Sequence, residues 1–311
     1  MSIICLFFLE TMSSAKEASF FKSLRYTSLN MTKKKFSATI ESTMVGPLWA
    51  RAKYSAIYPE ILKDPLAEMI LQKLWQLYPE QQEGFDIMKE FIDEFAGLNF
   101  LFRAKKFDDE LLKFKAIHPF ATIIDLGCGL DTVNWRIGKN DFTWYYLDLP
   151  EAIALREKLI PPQVNSKYIP KSIFNYTWFE DIEFIEEKGI MFLAAGLLNY
   201  FPEKRLRELC DKMAEHFIGG VFLFDVPSAI LKKIINKKFK KLGVEGVDNE
   251  FGLGTPKKIF NWSDRIKDVS CDIFFKGLEM NPKWKRKTRL LFKLSRVLKF
   301  YKFIRIEFKK E

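Results

Sequence analysis

The segment from Ile123 to Thr132 constrains the fold of this 311-residue chain more than any other. It begins with an apolar run typical of a buried parallel strand and leads directly into a turn that contains Gly127 and Gly129. About twenty residues later, a second strand-like run ends on Asp148. Glycines let a backbone approach a ligand closely, and an acid in this position can accept hydrogen bonds from both ribose hydroxyls. The spacing therefore predicts a nucleoside site at the carboxyl edge of an open α/β sheet.

The kind of nucleoside depends on two positions in this segment. A dinucleotide fingerprint has a third glycine, but Thr132 occupies that place, and Asp125 stands where such folds usually have an apolar strand residue. The string Asp-Leu-Gly-Cys-Gly instead resembles the first motif of class I S-adenosylmethionine methyltransferases. Two alternatives stay open, namely an NAD-dependent oxidoreductase and a glycine turn that binds no ligand.

Strand patterns and helix patterns alternate after residue 118, which is the signature of a parallel sheet. We therefore predict a Rossmann-like sheet, mostly parallel and of about seven strands, with helices on both faces. The predicted strands are Ala121–Leu126, Thr143–Leu147, Lys167–Ile169, Ile190–Ala194, Val221–Phe224, Val269–Phe275 and Phe303–Phe308.

The predicted sheet domain takes residues 119–311, and two segments precede it. Residues 31–118 carry helical patterns and are predicted to form an N-terminal lid, in which Asp64 caps a helix that starts at Pro65. Residues 1–30 precede Met31, an alternative start, and are predicted to be a disordered leader or a misassigned start. Their apolar stretch lacks the basic residue that precedes the core of a secretory signal.

Composition excludes several classes of protein. An apolar content of 48% with 31 phenylalanines is too high for a disordered chain, and the longest apolar runs are too short to span a membrane. Four scattered cysteines without paired spacing indicate free thiols and a cytoplasmic location. Two isolated histidines cannot build a histidine-rich zinc site, so no metal is expected.

The positive charge is concentrated at the C-terminus. Residues 281–311 contain twelve Lys or Arg and two Glu, and 12 − 2 = 10 equals the net charge of the whole chain. Apolar residues recur there at helical spacing: Leu290, Leu294, Val297, Leu298 and Tyr301. Because such stripes normally pack on a core, we expect a helix docked on the sheet with a solvated basic face. The alternative is contact with an anionic surface, either a membrane or nucleic acid.

Several strings in fixed order together resemble the leucine carboxyl methyltransferase family, and specifically its bacterial polyketide O-methyltransferase-like branch. The resemblance covers nearly the whole chain apart from its N-terminal segment. The strings are Gly-Cys-Gly-Leu-Asp-Thr (127–132), Trp-Tyr-Tyr-Leu-Asp-Leu-Pro-Glu (144–151), Ala-Gly-Leu-Leu-Asn-Tyr-Phe-Pro-Glu (195–203), Phe-Leu-Phe-Asp-Val (222–226) and Pro-Leu-Trp-Ala-Arg-Ala (47–52).

This resemblance implies S-adenosylmethionine as the cofactor and an oxygen of a small molecule, carboxylates included, as the methyl acceptor. Arg103 matches the arginine that grips the methionine carboxylate, a task that suits a guanidinium fork. Asn199 and Tyr200 follow the fourth strand and are the candidate catalytic residues. The implied cofactor-binding residues are Arg51, Arg103, Asp125, Gly127, Gly129, Asp148, Ser172, Ile173 and Ala195.

The chain departs from the family pattern at three positions. Ala195 stands where the family usually has a glutamate, Tyr146 replaces a common glutamate, and Val133 replaces a common arginine. These changes leave two further hypotheses open. One is a catalytically lapsed S-adenosylmethionine-binding protein, and the other is an RNA methyltransferase or RNA-binding protein that uses the basic C-terminal segment.

Overall fold

The computed structural model describes residues 38–79, 82, 92–161, 163–241 and 249–310. The predicted leader at 1–30 therefore lies outside the described residues. The helices are α1 (Ala38–Ile57), α2 (Pro65–Leu77), α3 (Glu94–Ile117), α4 (Val133–Arg136), α5 (Pro150–Leu159), α6 (Glu203–His216), α7 (Ala229–Lys241) and α8 (Arg286–Val297). None of these helices is long and apolar enough to cross a membrane.

Seven strands form one sheet in the order β3-β2-β1-β4-β5-β7-β6. The first five run parallel to one another, and the last two are antiparallel to their neighbours. The chain order reverses between β1 and β4, so a crevice forms at the carboxyl ends of these strands. The predicted fold class is confirmed. The strands are β1 (Thr122–Leu126), β2 (Thr143–Asp148), β3 (Ser166–Pro170), β4 (Ile190–Ala194), β5 (Val221–Pro227), β6 (Ile266–Ile273) and β7 (Tyr301–Phe308).

The sheet is buried on both faces because helices cover each side. On β1 and β4 every residue is buried, which explains why these strands are mostly apolar rather than alternating, with Thr122 and Asp125 as the polar exceptions. Ile124 packs in one core with Phe192, while Ile123 packs on the opposite face with Met191. This double burial fixes the carboxyl ends of the central strands, where the glycine turn begins.

The N-terminal helices form a separate hydrophobic core together with the segment that joins β6 to β7. As predicted, α2 starts at Pro65, and the Asp64 side chain accepts a hydrogen bond of 3.2 Å from the backbone N–H of Ala67. From α3, Phe95 lies 4.7 Å from Phe292 of α8, measured between ring centroids. The helices that cover the sheet edge are thus held by the C-terminal part of the chain.

The prediction that the apolar stripe of α8 docks on the sheet is wrong. The buried residues of this helix are Thr288, Phe292 and Ser295, whereas Leu290 and Val297 of the stripe are exposed. Phe292 belongs to an aromatic cluster with rings from α3 and from the segment before α8, and its burial sets the rotation of the helix. The helical part of the stripe consequently faces outward, whereas Tyr301 begins β7 and is only partly exposed.

Candidate functional site

A cavity opens at the carboxyl ends of β1, β4 and β5, and its wall is completed by α1 and α3. Most of the predicted site residues line it. Asp148, Ser172 and Ile173 lie outside its wall, at the ends of the adjacent strands β2 and β3. The predicted residues that the cavity brings together are Arg51, Arg103, Asp125, Gly127, Gly129, Ala195, Asn199 and Tyr200.

The turn after β1 depends on glycine at two places. Gly127 has φ +64° and Gly129 has φ +41°, a region that side chains with a Cβ rarely adopt. A Cβ on Gly127 would also lie 2.7 Å from Cδ1 of Leu197. The backbone is therefore exposed directly to the cavity, as a close approach to a ligand requires.

Asp148 ties the turn to the end of β2. Its Oδ2 accepts a hydrogen bond of 2.8 Å from the N–H of Gly129, and its Oδ1 accepts one of 2.8 Å from the N–H of Leu149. Burial raises the pKa of Asp148, while these two N–H groups act in the opposite direction. Each carboxylate oxygen retains capacity for a further hydrogen bond.

Asp125 is the penultimate residue of β1 and faces the cavity with an incompletely bonded carboxyl group. Its Oδ2 is buried and has no hydrogen-bond partner among the described residues. Burial, reinforced by the nearby negative charge of Asp131, raises the pKa of Asp125 well above its usual range. A buried acceptor of this kind needs a donor or a cation, which a ligand in the cavity can provide.

Arg103 reaches the cavity from α3 and lies over Gly196, the residue that follows Ala195. A Cβ on Gly196 would be 2.4 Å from Nη1 of Arg103, and Gly196 has φ +67°. The N–H of Gly196 donates a hydrogen bond of 2.5 Å to Oδ1 of Asp225 on β5. Burial raises the pKa of Asp225, and the positive charge of Arg103 opposes that rise. Gly196 thus makes room for a guanidinium within the site.

Asp225 is a site residue that sequence reasoning missed. It is a buried carboxyl group in the same cavity as Ala195, where the family's usual glutamate is absent. The available signal was an acid inside the apolar string Phe-Leu-Phe-Asp-Val of a central strand. The cavity therefore contains a carboxyl group next to Arg103 despite the alanine at 195.

Arg51 is buried in the cavity wall, and its hydrogen bonds connect the N-terminal helices to the glycine turn. Its Nε donates to Asp64 at 2.8 Å, and its Nη2 donates to the carbonyl of Leu130 at 2.8 Å. Thr132, which replaces the third glycine of a dinucleotide motif, donates from Oγ1 to Asp64 at 2.6 Å. Asp64 therefore caps α2 and anchors it to the sheet edge at the same time.

A second buried cation completes this connection. Arg136 on α4 forms ion pairs of 2.8 Å with Asp108 and 2.5 Å with Asp131. Burial opposes ionisation of Asp131, but the charges of Arg136 and Arg51 outweigh it and lower the pKa of Asp131. Val133, where the family commonly has an arginine, is buried in the core one turn before Arg136.

Arg156 on α5 stabilises the glycine turn through hydrogen bonds to its backbone. It was not among the predicted site residues. It is fully buried and donates from Nη1 to the carbonyls of Gly129 and Asp131, both at 2.9 Å. Its guanidinium lies 4.0 Å from the ring centroid of Tyr146. The tyrosine that replaces a common glutamate thus offers this cation an aromatic face.

We expect Arg156→Met to destabilise the protein by about 2–4 kcal/mol, because two buried carbonyls lose their donor. Thermal unfolding followed by circular dichroism measures the effect. Arg207→Met is the matched control, since the exposed Arg207 also donates to a carbonyl, that of Asn261, at 2.9 Å. The control should change stability by less than about 0.5 kcal/mol. Equal melting temperatures for the two variants would contradict this role of Arg156.

The two candidate catalytic residues lie on a short 3₁₀ turn, Leu198–Tyr200, after β4. Asn199 is buried and donates from Nδ2 to Oδ1 of Asn249 at 2.7 Å, so its amide supports a neighbouring segment. Tyr200 lines the cavity together with Tyr301, whose pKa burial raises well above its usual range.

Ser172 and Ile173 follow β3, which pairs with β2 so that Pro170 stands opposite Asp148. Ile173 is buried, and its carbonyl accepts a hydrogen bond of 3.0 Å from the indole of Trp178. Ser172 is partly exposed. Both residues therefore belong to the sheet edge next to Asp148 at the end of β2.

Across the described ranges, no group of three or more His, Cys, Asp or Glu is arranged to hold a metal ion.

The strand order, the glycine turn after β1 and the acid that ends β2 define a class I methyltransferase. The chain belongs to the leucine carboxyl methyltransferase family, whose model matches residues 44–214. It is an S-adenosylmethionine-dependent methyltransferase.

One relative and one solved structure are similar to this chain. Tetracenomycin polyketide synthesis O-methyltransferase TcmP of Streptomyces glaucescens is 26% identical over 223 residues, which cover 71% of this chain and 77% of the relative. This similarity confirms the predicted family and branch. A solved structure from Thermobifida fusca YX, provisionally assigned as a methyltransferase, has a TM-score of 0.51 and 12% identity. That match covers 84% of this chain and 94% of the other, and it shows the fold alone.

Proposed function

We propose that the chain transfers a methyl group from S-adenosylmethionine to an oxygen atom of a small-molecule acceptor. One observation carries the proposal: a buried carboxyl group with an unpaired oxygen and a guanidinium share one cavity beside the glycine turn. The amino-acid end of the cofactor has one ammonium and one carboxylate. We assign the ammonium to Asp125, the carboxylate to Arg103, the ribose hydroxyls to Asp148, and the border of the adenine to Ser172 and Ile173.

S-adenosylmethionine, when bound, supplies a methyl group that its sulfonium already activates. The chain then has to align an acceptor oxygen and exclude water, and Met44, Phe100 and Phe107 give the cavity wall an apolar part. A carboxylate acceptor needs no general base and is therefore the simplest acceptor for this site. A phenol or alcohol needs one, and Tyr200 and Asp225 are the candidates.

The proposal also includes a lid formed by the N-terminal helices and a cytoplasmic location for the protein. The similarity to a polyketide synthesis O-methyltransferase supports an acceptor of small-molecule size. Helices from residues 31–118 contribute Arg51 and Arg103 to the cavity, which supports a role of this region as a lid. The described cysteines, Cys128, Cys210 and Cys271, are free thiols, which fits a cytoplasmic protein.

Calorimetric titration of S-adenosylmethionine and S-adenosylhomocysteine tests the cofactor assignment. We expect micromolar binding, about −8 kcal/mol, for the unaltered chain. Asp148→Ala should weaken it by about 1.5–3 kcal/mol, roughly ten-fold or more, because hydrogen bonds from ribose to a charged acceptor are lost. The exposed Asp141→Ala is the matched control and should bind normally. Undiminished binding by the Asp148 variant would contradict the ribose assignment.

A second candidate function is a protein that binds S-adenosylmethionine without turnover. Ala195 favours it, because the family's usual carboxylate is missing from the cavity wall. Incubation with methyl-labelled cofactor and separate pools of carboxylic acids and phenols distinguishes the two. Labelled product from either pool supports the transferase, whereas tight cofactor binding without product from any pool supports the second candidate.

A further inference from the structure

The helix α8 turns its most apolar side away from the protein. Leu290 is 66% exposed, Val297 is 73% exposed, and Leu294 and Leu298 are 42% and 40% exposed. The side that packs inward buries Phe292 between the small polar Thr288 and Ser295, and Leu291 packs partly against the same core. A helix with this distribution leaves an aliphatic strip in water, which is unfavourable unless another surface covers it.

Four cations flank this strip on one side, and the exposed Lys287 lies at its N-terminal end. At about 100° per residue, Arg286, Arg289, Lys293 and Arg296 follow one edge of the strip along the helix. Lys293 and Arg286 are exposed, and the sequence has no Asp or Glu between Met280 and Ile306. The surface that covers the strip must therefore carry negative charge next to apolar material.

A shallow cleft at the start of the helix combines both properties. It is lined by Met280, Arg286, Arg289, Leu290 and Lys293. The Nε of Arg289 is buried and has no hydrogen-bond partner among the described residues. Three cations around two apolar side chains form a site for an anionic group attached to an aliphatic one.

We propose that the exposed face of α8 is a docking site for anionic lipid surfaces. The strip Leu290, Leu294, Val297 and Leu298 enters the boundary between headgroups and acyl chains, and the flanking cations contact lipid phosphates. The helix lies in the plane of the surface and does not cross it. This docking does not depend on methyl transfer.

Charge and shape favour a lipid surface over other occupants. A second copy of the chain would bring two strongly basic faces together, which like-charge repulsion opposes. A nucleic acid would satisfy the cations, but it would leave the aliphatic strip against phosphates, without the base-stacking aromatic residues typical of single-strand binders. An anionic membrane satisfies both parts of the face.

Co-sedimentation of the full-length chain with vesicles tests the proposal. We expect binding to vesicles of phosphatidylcholine mixed with phosphatidylglycerol and at least ten-fold weaker binding to phosphatidylcholine alone. Val297→Ser should weaken the first interaction several-fold, and Lys293→Gln should do the same. The controls are Ile117→Ser, since Ile117 is 74% exposed on α3, and Lys204→Gln on the exposed side of α6. Circular dichroism verifies that each variant is folded.

Every outcome of this experiment is informative. Binding that is several-fold weaker in both α8 variants, with both controls unchanged, supports the proposal. Binding that survives Val297→Ser would show charge adsorption without insertion and would overturn it. Absence of vesicle binding would also overturn it. Salt-sensitive binding to RNA or concentration-dependent dimerisation, lost in the same variants, would then identify the occupant of the face.

Discussion

Arg103→Met should weaken the binding of S-adenosylmethionine by about 100-fold or more, the largest effect on affinity that we expect from a single change. The guanidinium lies in the cavity over Gly196, and its removal leaves the cofactor carboxylate without a partner in a partly dry site. Lys105→Met removes a cation from the same helix, where it pairs with Asp109 outside the cavity. Titration calorimetry should show normal binding for this control.

A truncated ligand makes this test specific. 5′-Methylthioadenosine has the nucleoside and the sulfur but no amino-acid group, so it should bind equally to the unaltered chain and to Arg103→Met. Gly196→Ala should reproduce the arginine variant in part, because its Cβ would lie 2.4 Å from Nη1 and must displace the guanidinium. Equal losses for the two ligands in Arg103→Met would show a general disturbance of the cavity and would contradict the carboxylate assignment.

The sheet could be predicted from the sequence because its strands carry their own signal. The central strands β1 and β4 are short and mostly apolar, and their burial on both faces favours that pattern. The cap of α2 is equally local, since Asp64 and Pro65 are adjacent and act within one turn. Some strand boundaries differ from the predicted ones. The strand predicted at Val269–Phe275 spans Ile266–Ile273, because hydrogen-bonded pairing with β7, rather than apolarity, determines where it ends.

The orientation of α8 could not be predicted in the same way. Periodicity identifies an apolar stripe but does not indicate which side faces the protein. The rotation is set by Phe292, whose partners Phe95 and Phe102 lie about two hundred residues earlier in the chain. A long-range aromatic cluster therefore outweighs a regular local pattern, and the result is an exposed strip instead of a docked one.

The candidate site shows the same division between local and distant signals. Gly127, Gly129 and Asp148 follow a spacing that can be seen in the sequence, and the structure joins two of them by the hydrogen bond from Gly129 to Asp148. The role of Arg156 could not be predicted from the sequence. This residue is more than twenty positions away from the turn, and it donates its hydrogen bonds to backbone carbonyls. Backbone acceptors have no side-chain identity that a sequence could reveal.

The contact between Tyr146 and Arg156 explains how the fold accommodates a tyrosine where the family commonly has a glutamate. A glutamate at 146 would meet the buried guanidinium as an ion pair, and the tyrosine meets it with an aromatic face at 4.0 Å. The glycine turn keeps its support in either case, because the hydrogen bonds run from Nη1 to the carbonyls of Gly129 and Asp131. The change at 146 therefore does not by itself argue against cofactor binding.

Asp125→Asn should reduce the pH dependence of cofactor binding and weaken affinity strongly near neutral pH. Burial holds the pKa of Asp125 well above its usual range, so the free protein keeps this carboxyl protonated to a higher pH. An ammonium group beside it favours the ionised form, so binding releases a proton and affinity rises with pH up to the free-protein pKa. Titrations in two buffers of different ionisation enthalpy measure the proton release, which the variant should lack.

The same substitution should raise the free energy of unfolding at neutral pH, because burial raises the pKa of Asp125 in the folded chain. The folded-state pKa lies above the unfolded value of about 3.9, so the native chain loses stability as pH rises between the two pKa values. Asp125→Asn does not titrate, and its melting temperature should exceed that of the native chain at about pH 7 but not at about pH 4. The exposed Asp264→Asn serves as the control and should show no such difference. A variant that is less stable than the native chain at neutral pH, and that releases as many protons on binding, would show that Asp125 is already ionised in the free protein and would contradict both predictions.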